Sequence, residues 1–235
     1  MQYQLEENQS KGVRIIGGQE AKQRRLVLNQ MITLAEANGF DEIIIPSVEP
    51  AKVYEEKAGA EILDQMYVFQ DKGNRTLCLR PEGTATIQLV ADKYFRTQKN
   101  VKFWYFERCW RFERPQTGRY REFFQFGLEV INPSNLENTK QELMSLAMQM
   151  VNLVTEEAEL VESVKRGLNY YVADGFEISI PSLGAQKQVV GGGAYKQGIG
   201  FAVGFDRLML QVGKDFGNLK SSANNANLRL SDAIS

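Results

Sequence analysis

Glu20 to Asn38 carries Val27, Met31, Leu34 and Ala35 at intervals of three and four and closes on Gly39, which predicts a helix with a left-handed cap. Glu42 to Ile45 is a short β-branched run stopped by Pro46, the composition of a strand that ends or lies at an edge. Met66 to Gln70 and Thr76 to Arg80 flank Asp71-Lys72-Gly73-Asn74, so this pair predicts a hairpin. Helical character returns from Thr84 to Phe95.

Val101 to Phe112 and Arg121 to Ile131 read as two strands joined by Glu113 to Tyr120. In the second run Phe124, Phe126, Leu128 and Val130 share one face, and Arg121, Phe123, Gln125 and Glu129 share the other. The first face is core. The second, taken alone, reads as the solvated side of a half-buried antiparallel strand. Ser134 and Asn135 offer an N-cap to a helix from Leu136 to Glu157 with Leu143, Ala147, Met150 and Val154 as its buried stripe.

Arg166 to Val172 and Phe176 to Ile180 around Asp174-Gly175 predict another hairpin, followed by a strand at Gln188 to Gly193. Its glycines, Gly191 to Gly193, either admit a close approach to the backbone or form a slack turn. Ile199 to Gly204 predicts a buried strand that enters a helix at Phe205, and the Asn-, Ser- and Ala-rich stretch from Gly217 predicts a loosely held tail. The expected division is a domain over 1–216 and a polar tail over 217–235. Antiparallel strands with helices between hairpins give an α+β fold, against a Rossmann or phosphate-loop plan, whose glycine spacings are missing.

Composition narrows the chemistry. The 235 residues hold no histidine, which excludes an imidazole base, a Ser-His or Cys-His nucleophile pair and a Cys/His zinc site. Cys78 and Cys109 lie far apart in apolar runs and read as core. Lys and Arg number 28 against 29 Asp and Glu, so any nucleic-acid contact must be local rather than a whole-surface attraction. No apolar stretch approaches membrane-spanning length and the first residues lack a signal pattern, so a cytoplasmic location is expected. What remains is electrostatic catalysis by arginines, carboxylates, amides and backbone dipoles.

Four polar clusters stand at element ends: Arg80 to Thr84, Arg111 to Pro115, Arg166 to Tyr171 and Gly204 to Arg207. Arginines so placed can grip phosphates, although each alone is more often an ion-pair partner. In this order they resemble the catalytic domain of class II aminoacyl-tRNA synthetases of the histidyl type, over residues 11 to 213. Gly39 to Pro46 is similar to the family's motif 1, Arg111 to Gln125 to motif 2, and Gly200 to Leu208 to motif 3. Leu79 to Thr84, Arg166 to Tyr171 and Gly192 to Tyr195 resemble its histidine-specific segments.

The resemblance implies roles. ATP with Mg2+ would be held bent between Arg111 and Arg207, with Arg119 beside it, Glu113 reading the adenine amino group and Phe123 stacking on the ring; no magnesium ligand is assigned. Arg111 and Arg166 would carry the catalytic charge. Glu82, Thr84 and Gln125 would take the α-ammonium of histidine, and Glu129 with Tyr170, Tyr171 and Tyr195 its side chain. Gln116, Arg119 and Arg121 match the loop positions that meet the tRNA acceptor end, and motif 1 implies a homodimer. The chain departs from the family pattern at Asn169, Ala194 and Lys196. Only Asn132 to Lys165 stands where the family inserts a helical domain, and no anticodon-binding domain is expected before Ser235.

Three functions follow from these residues. A minimal synthetase would activate histidine and charge its tRNA. An adenylating transferase would send the activated residue to another acceptor. A histidine sensor resembling the regulatory subunit of ATP phosphoribosyltransferase would need the histidine pocket but have no use for the phosphate grip.

Overall fold

The computed structural model describes residues 10–57, 60–164, 172 and 175–212. A long helix α1 (Gly18–Ala37) leads through Gly39, at φ 76°, to a two-residue strand β1 (Asp41–Glu42). Next come β2 (Val48–Pro50), α2 (Lys52–Lys57), α3 (Ala60–Gln65), the hairpin β3 (Val68–Gln70) and β4 (Thr76–Leu79), and helix α4 (Thr84–Tyr94). Strands β5 (Val101–Trp110) and β6 (Glu122–Ile131) precede α5 (Leu136–Asn152). The chain closes with β7 (Glu159–Val164), β8 (Gly175–Ser179), a 3-10 turn at Pro181–Gln186, β9 (Gln188–Tyr195), β10 (Gly198–Gly204) and a short helix α6 (Phe205–Leu208).

Seven strands form one sheet in the order β1-β5-β6-β10-β9-β8-β7, antiparallel except for the parallel pair β1 and β5, and β2-β4-β3 form a small second sheet. This is the α+β arrangement that the pattern predicts. On one face of the large sheet Phe126, Leu128 and Val130 of β6 meet Val27, Met31 and Ala35 of α1 and Leu143, Ala147 and Met150 of α5. On the other, Ile87 and Ala91 of α4 pack with Tyr105 and Ile131 and cover only part of the sheet. Because α4 covers that face of β6 at Ile131 and not at its start, Phe123 and Gln125 are left to line a cleft.

Several expectations are corrected. The Glu42 to Ile45 strand shrinks to Asp41–Glu42: Ile43 N still donates to Trp104 O at 2.9 Å, but Ile45 N turns to the Glu107 side chain at 3.1 Å. Helix α5, capped by the Asn135 side chain, stops at Asn152 rather than Glu157, although Val154 remains buried. Strand β8 takes β7 as its partner. Strand β7 escapes a reading by pattern because its side chains are nearly all exposed, leaving no alternation to detect. The other predicted hairpin arm, apart from Val172, and the tail over 217–235 lie outside the described residues. Cys78 and Cys109 are buried, unbridged and pushed up to about 12 by desolvation, in keeping with core packing.

Candidate active site

The site is built on the odd-numbered face of β6 and on the turn that feeds it. Arg111 N donates to Arg121 O at 3.0 Å, closing the neck of the β5–β6 loop, and Gln116 and Arg119 exchange backbone hydrogen bonds of 3.0 and 2.9 Å at its tip. Folded back in this way, the loop brings Arg119 into an ion pair with Glu113. Arg121 donates to Glu113 O at 3.0 Å and lies 3.9 Å above the Phe112 ring.

A cleft of about 310 Å³ opens between this loop, the start of α4 and the β10–α6 junction. Glu82, Thr84, Arg111, Glu113, Arg119, Phe123, Gln125 and Arg207 all line it, residues spread over 126 positions of sequence that the sheet brings together. The Arg111 guanidinium stands 5.3 Å from the Phe123 ring and donates to Pro81 O at 3.0 Å. Arg207 is tied to Gly118 O at 3.2 Å and Gln188 O at 2.6 Å. Burial, followed by the nearby charges of Arg119 and Arg111, holds Arg207 below the ordinary arginine range. Three guanidiniums thus converge on one cleft, beside the carboxylates of Glu82, Glu113, Glu177 and Asp206.

At the inner end, the Glu82 carboxylate accepts from Thr84 N at 2.7 Å and Ala85 N at 2.9 Å, capping α4, and desolvation raises its pKa. Behind Thr84 lies Glu129, fully buried, accepting from Thr84 Oγ1 at 2.7 Å and from Tyr195 OH at 3.0 Å. Desolvation pushes Glu129 up to about 8 despite both hydrogen bonds. Space for it comes from Gly200, where a Cβ would stand 1.9 Å from Glu129 Oε2. The polar face of β6 therefore lines the cleft at Gln125 and is buried at Glu129, and is not solvated surface.

Not every expected residue reaches the cleft. Gln116 is exposed at the loop tip, and Arg121 is spent on Phe112 and Glu113. Arg80 is fully buried and donates to Ile45 O, Pro46 O, Glu107 and Arg108 O, so it is a strut between segments and not a phosphate grip. Arg166, Asn169, Tyr170 and Tyr171 lie outside the described residues. The pattern gave no sign of Glu177 and Gln188, joined at 3.0 Å in the cleft wall. Nor did it mark Glu49, which accepts from Tyr54 at 2.8 Å and from Thr86 and so braces the Glu82 turn through the Tyr54 bond to Glu82 O at 3.2 Å.

A protein-family model described as histidyl-tRNA synthetase matches residues 12–163. The chain belongs to that family. Among its relatives, the histidine–tRNA ligase of Archaeoglobus fulgidus is 26% identical over 303 aligned positions, covering 84% of this chain and 74% of that ligase. Those positions outnumber the 235 residues present here, so the relative carries internal sequence that this chain lacks. An apo histidyl-tRNA synthetase structure from S. aureus superposes with a TM-score of 0.73 at 24% identity, over 88% of this chain and 70% of that one. An ATP phosphoribosyltransferase regulatory subunit/histidyl-tRNA synthetase from Bacillus halodurans reaches the same TM-score at 15% identity, over 90% and 84%. Likeness at that level establishes the shared class II fold.

For the histidyl-tRNA synthetase family the relevant metal is Mg2+ accompanying ATP. Among the described residues no three carboxylate or thiol side chains gather into a cage.

Proposed function

We propose that the chain activates histidine with ATP, forming histidyl-adenylate and pyrophosphate, and transfers the histidyl group to the acceptor end of its tRNA. The observation that carries this reading is the continuity of two differently built halves: a cleft walled by Arg111, Arg119 and Arg207, and the buried Glu129 with Thr84 and Tyr195 directly behind it. The two halves adjoin through Thr84, which lines the cleft and donates to Glu129.

Gln125 and the Glu82 turn line the cleft and suit an α-ammonium, while Glu129 and Tyr195, hydrogen-bonded to each other at 3.0 Å behind Thr84, are the groups we assign to the two ring nitrogens. A side chain that cannot satisfy both leaves buried polar groups unpaired, which is the strongest route to discrimination. The histidine carboxylate then attacks the α-phosphorus and the bond to pyrophosphate breaks. Arg111, with Arg166, stabilises the charge on the phosphoryl oxygens, and Arg207 orients the outer phosphates, whose remaining charge a bound Mg2+ would help to neutralise. Alignment and fixed charge suffice for this step, in accord with a chain without histidine. In the second step a terminal ribose hydroxyl of the tRNA attacks the acyl carbon and AMP departs.

Gln116 and Arg119, on the loop above the cleft, are the residues assigned to the acceptor stem, with Arg121 bracing that loop. A homodimer through the β1 segment accords with Ile44, an isoleucine 80% exposed beside the sheet edge. A cytoplasmic setting accords with a translation enzyme in which no described helix is long and apolar enough to cross a membrane.

The sensor reading is disfavoured by the retained Arg111 and Arg207 in the cleft, for which a histidine sensor has no use. Mass-spectrometric detection of histidyl-adenylate after mixing protein, ATP and histidine tests the proposal. Adenylate that forms with histidine and not with the other amino acids supports it; histidine binding with no adenylate returns the chain to the sensor class.

A further inference from the structure

A second cleft of about 270 Å³ lies on the helical side of the same wall, between α1, the start of β6 and α6. Phe124 and Asp206 line both clefts. Four guanidiniums face the second one, those of Arg14, Arg24, Arg25 and Arg108, against the two carboxylates Glu122 and Asp206, with Glu20 behind Arg14 at 3.3 Å.

The carboxylates neutralise part of this charge without filling every guanidinium donor. Asp206 Oδ1 accepts from Arg14 Nη2 at 2.8 Å, and Oδ2 is taken by Phe124 N at 2.6 Å. Arg24 Nη1 stands 3.0 Å from that same Oδ1, yet neither its Nη1 nor its Nη2 has a hydrogen-bond partner among the described residues. Arg24 is nevertheless 8% exposed, its guanidinium lying 5.4 Å from the Phe124 ring and 4.9 Å from Phe205. Arg108 approaches Phe124 at 4.9 Å and is paired with Glu122 at 3.3 Å. A buried guanidinium with one arm ion-paired to Asp206 and the other, Nη2, open, in a cleft rimmed by further arginines, asks for acceptor oxygens.

We propose that this cleft binds a small phosphoryl anion, with Arg24 as its inner ligand and Arg14, Arg25 and Arg108 at the rim. Arg24 Nη2, which has neither a hydrogen bond nor an ion pair among the described residues, and the rim guanidiniums offer donors to a tetrahedral oxyanion, and the aromatic floor keeps the Arg24 guanidinium in place by cation–π contact. The site is separate from the adenylate cleft and stands whether or not the chain makes an adenylate.

Calorimetric titration of the full chain with inorganic phosphate, and separately with pyrophosphate, tests it, and the tighter of the two identifies the carrier. Because the adenylate cleft also attracts phosphate, the titration is run on the double variant Arg111→Ala/Arg207→Ala. Binding is expected to persist there, and to weaken about tenfold on adding Arg24→Gln and about threefold on adding Arg25→Gln. Arg25 is exposed on α1, so its variant reports on the site even where replacement of buried Arg24 unsettles the helix. Loss of all millimolar-range binding in the double variant, or binding there that neither Arg24→Gln nor Arg25→Gln alters, overturns the proposal.

Discussion

Thr84 Oγ1 lies 2.7 Å from Glu129 Oε1, so the first turn of α4 is tied to the middle of β6 across 45 positions of sequence. This bond joins the two halves of the proposed site: Thr84 lines the cleft that holds Arg111 and Arg207, and Glu129 is sealed behind it with Tyr195. Replacing Glu129 by Gln is expected to weaken histidine binding by about tenfold or more while leaving the ATP affinity within about threefold, since a buried acceptor for the ring is altered and the phosphate grip is not. Calorimetry with each ligand separately checks this; equal losses for both ligands contradict it.

The same carboxyl sets a pH dependence. Glu129 is raised from 4.5 to about 8 by burial, so the folded state holds a proton that the unfolded chain gives up. The stability this confers is full below about pH 4.5 and is lost as pH rises through about 8. Glu129→Gln removes that contribution, so the fall in Tm between pH 6 and pH 8.5 should be several degrees smaller in the variant than in the parent. Parallel Tm curves contradict the assignment.

Gly200 has no substitute. A methyl there would stand 1.9 Å from Glu129 Oε2 and 2.6 Å from Leu128 O, a backbone atom that cannot yield. Gly200→Ala is expected to cost about 1–3 kcal/mol and to weaken histidine binding through displacement of Glu129. Thermal unfolding with and without histidine reads both effects, and an unchanged Tm refutes the packing.

Asp206 is a junction rather than a ligand. It is buried and gathers Arg14, Arg24 and the Phe124 amide, fixing the strand face and the helix that carries Arg207. Asp206→Ala leaves those donors uncompensated and is expected to destabilise by about 3–5 kcal/mol, measured by denaturant unfolding. A cost below about 1 kcal/mol contradicts this role.

Arg111 should act differently from these residues. Its cation faces the cleft from the end of β5, and Arg111→Ala is expected to lower the rate of adenylate formation by about 10²–10³-fold with little change in histidine affinity. Single-turnover kinetics checked against histidine titration separates the two.

Much of this was legible in the chain because period-two alternation in β6 already placed Phe123, Gln125 and Glu129 on one face. Alternation cannot say what covers a face. Glu129 is buried by Thr84, Tyr195 and the side-chain-free Gly200, contacts made across three other elements and settled only by sheet order. Arg80 shows the converse, since an arginine at a strand end reads alike whether it meets a phosphate or, as here, the carbonyls of Ile45 and Pro46. Strand β7 was hidden for want of buried side chains, and the early stop of α5 at Asn152 has no proline or glycine to announce it.

The central claim is tested most directly by amino-acid-dependent exchange of pyrophosphate into ATP, run with all twenty amino acids and followed by acylation of histidine tRNA in the same preparation. The account predicts exchange with histidine alone and charging of that tRNA. Histidine binding without exchange, or exchange that leaves the tRNA uncharged, contradicts it.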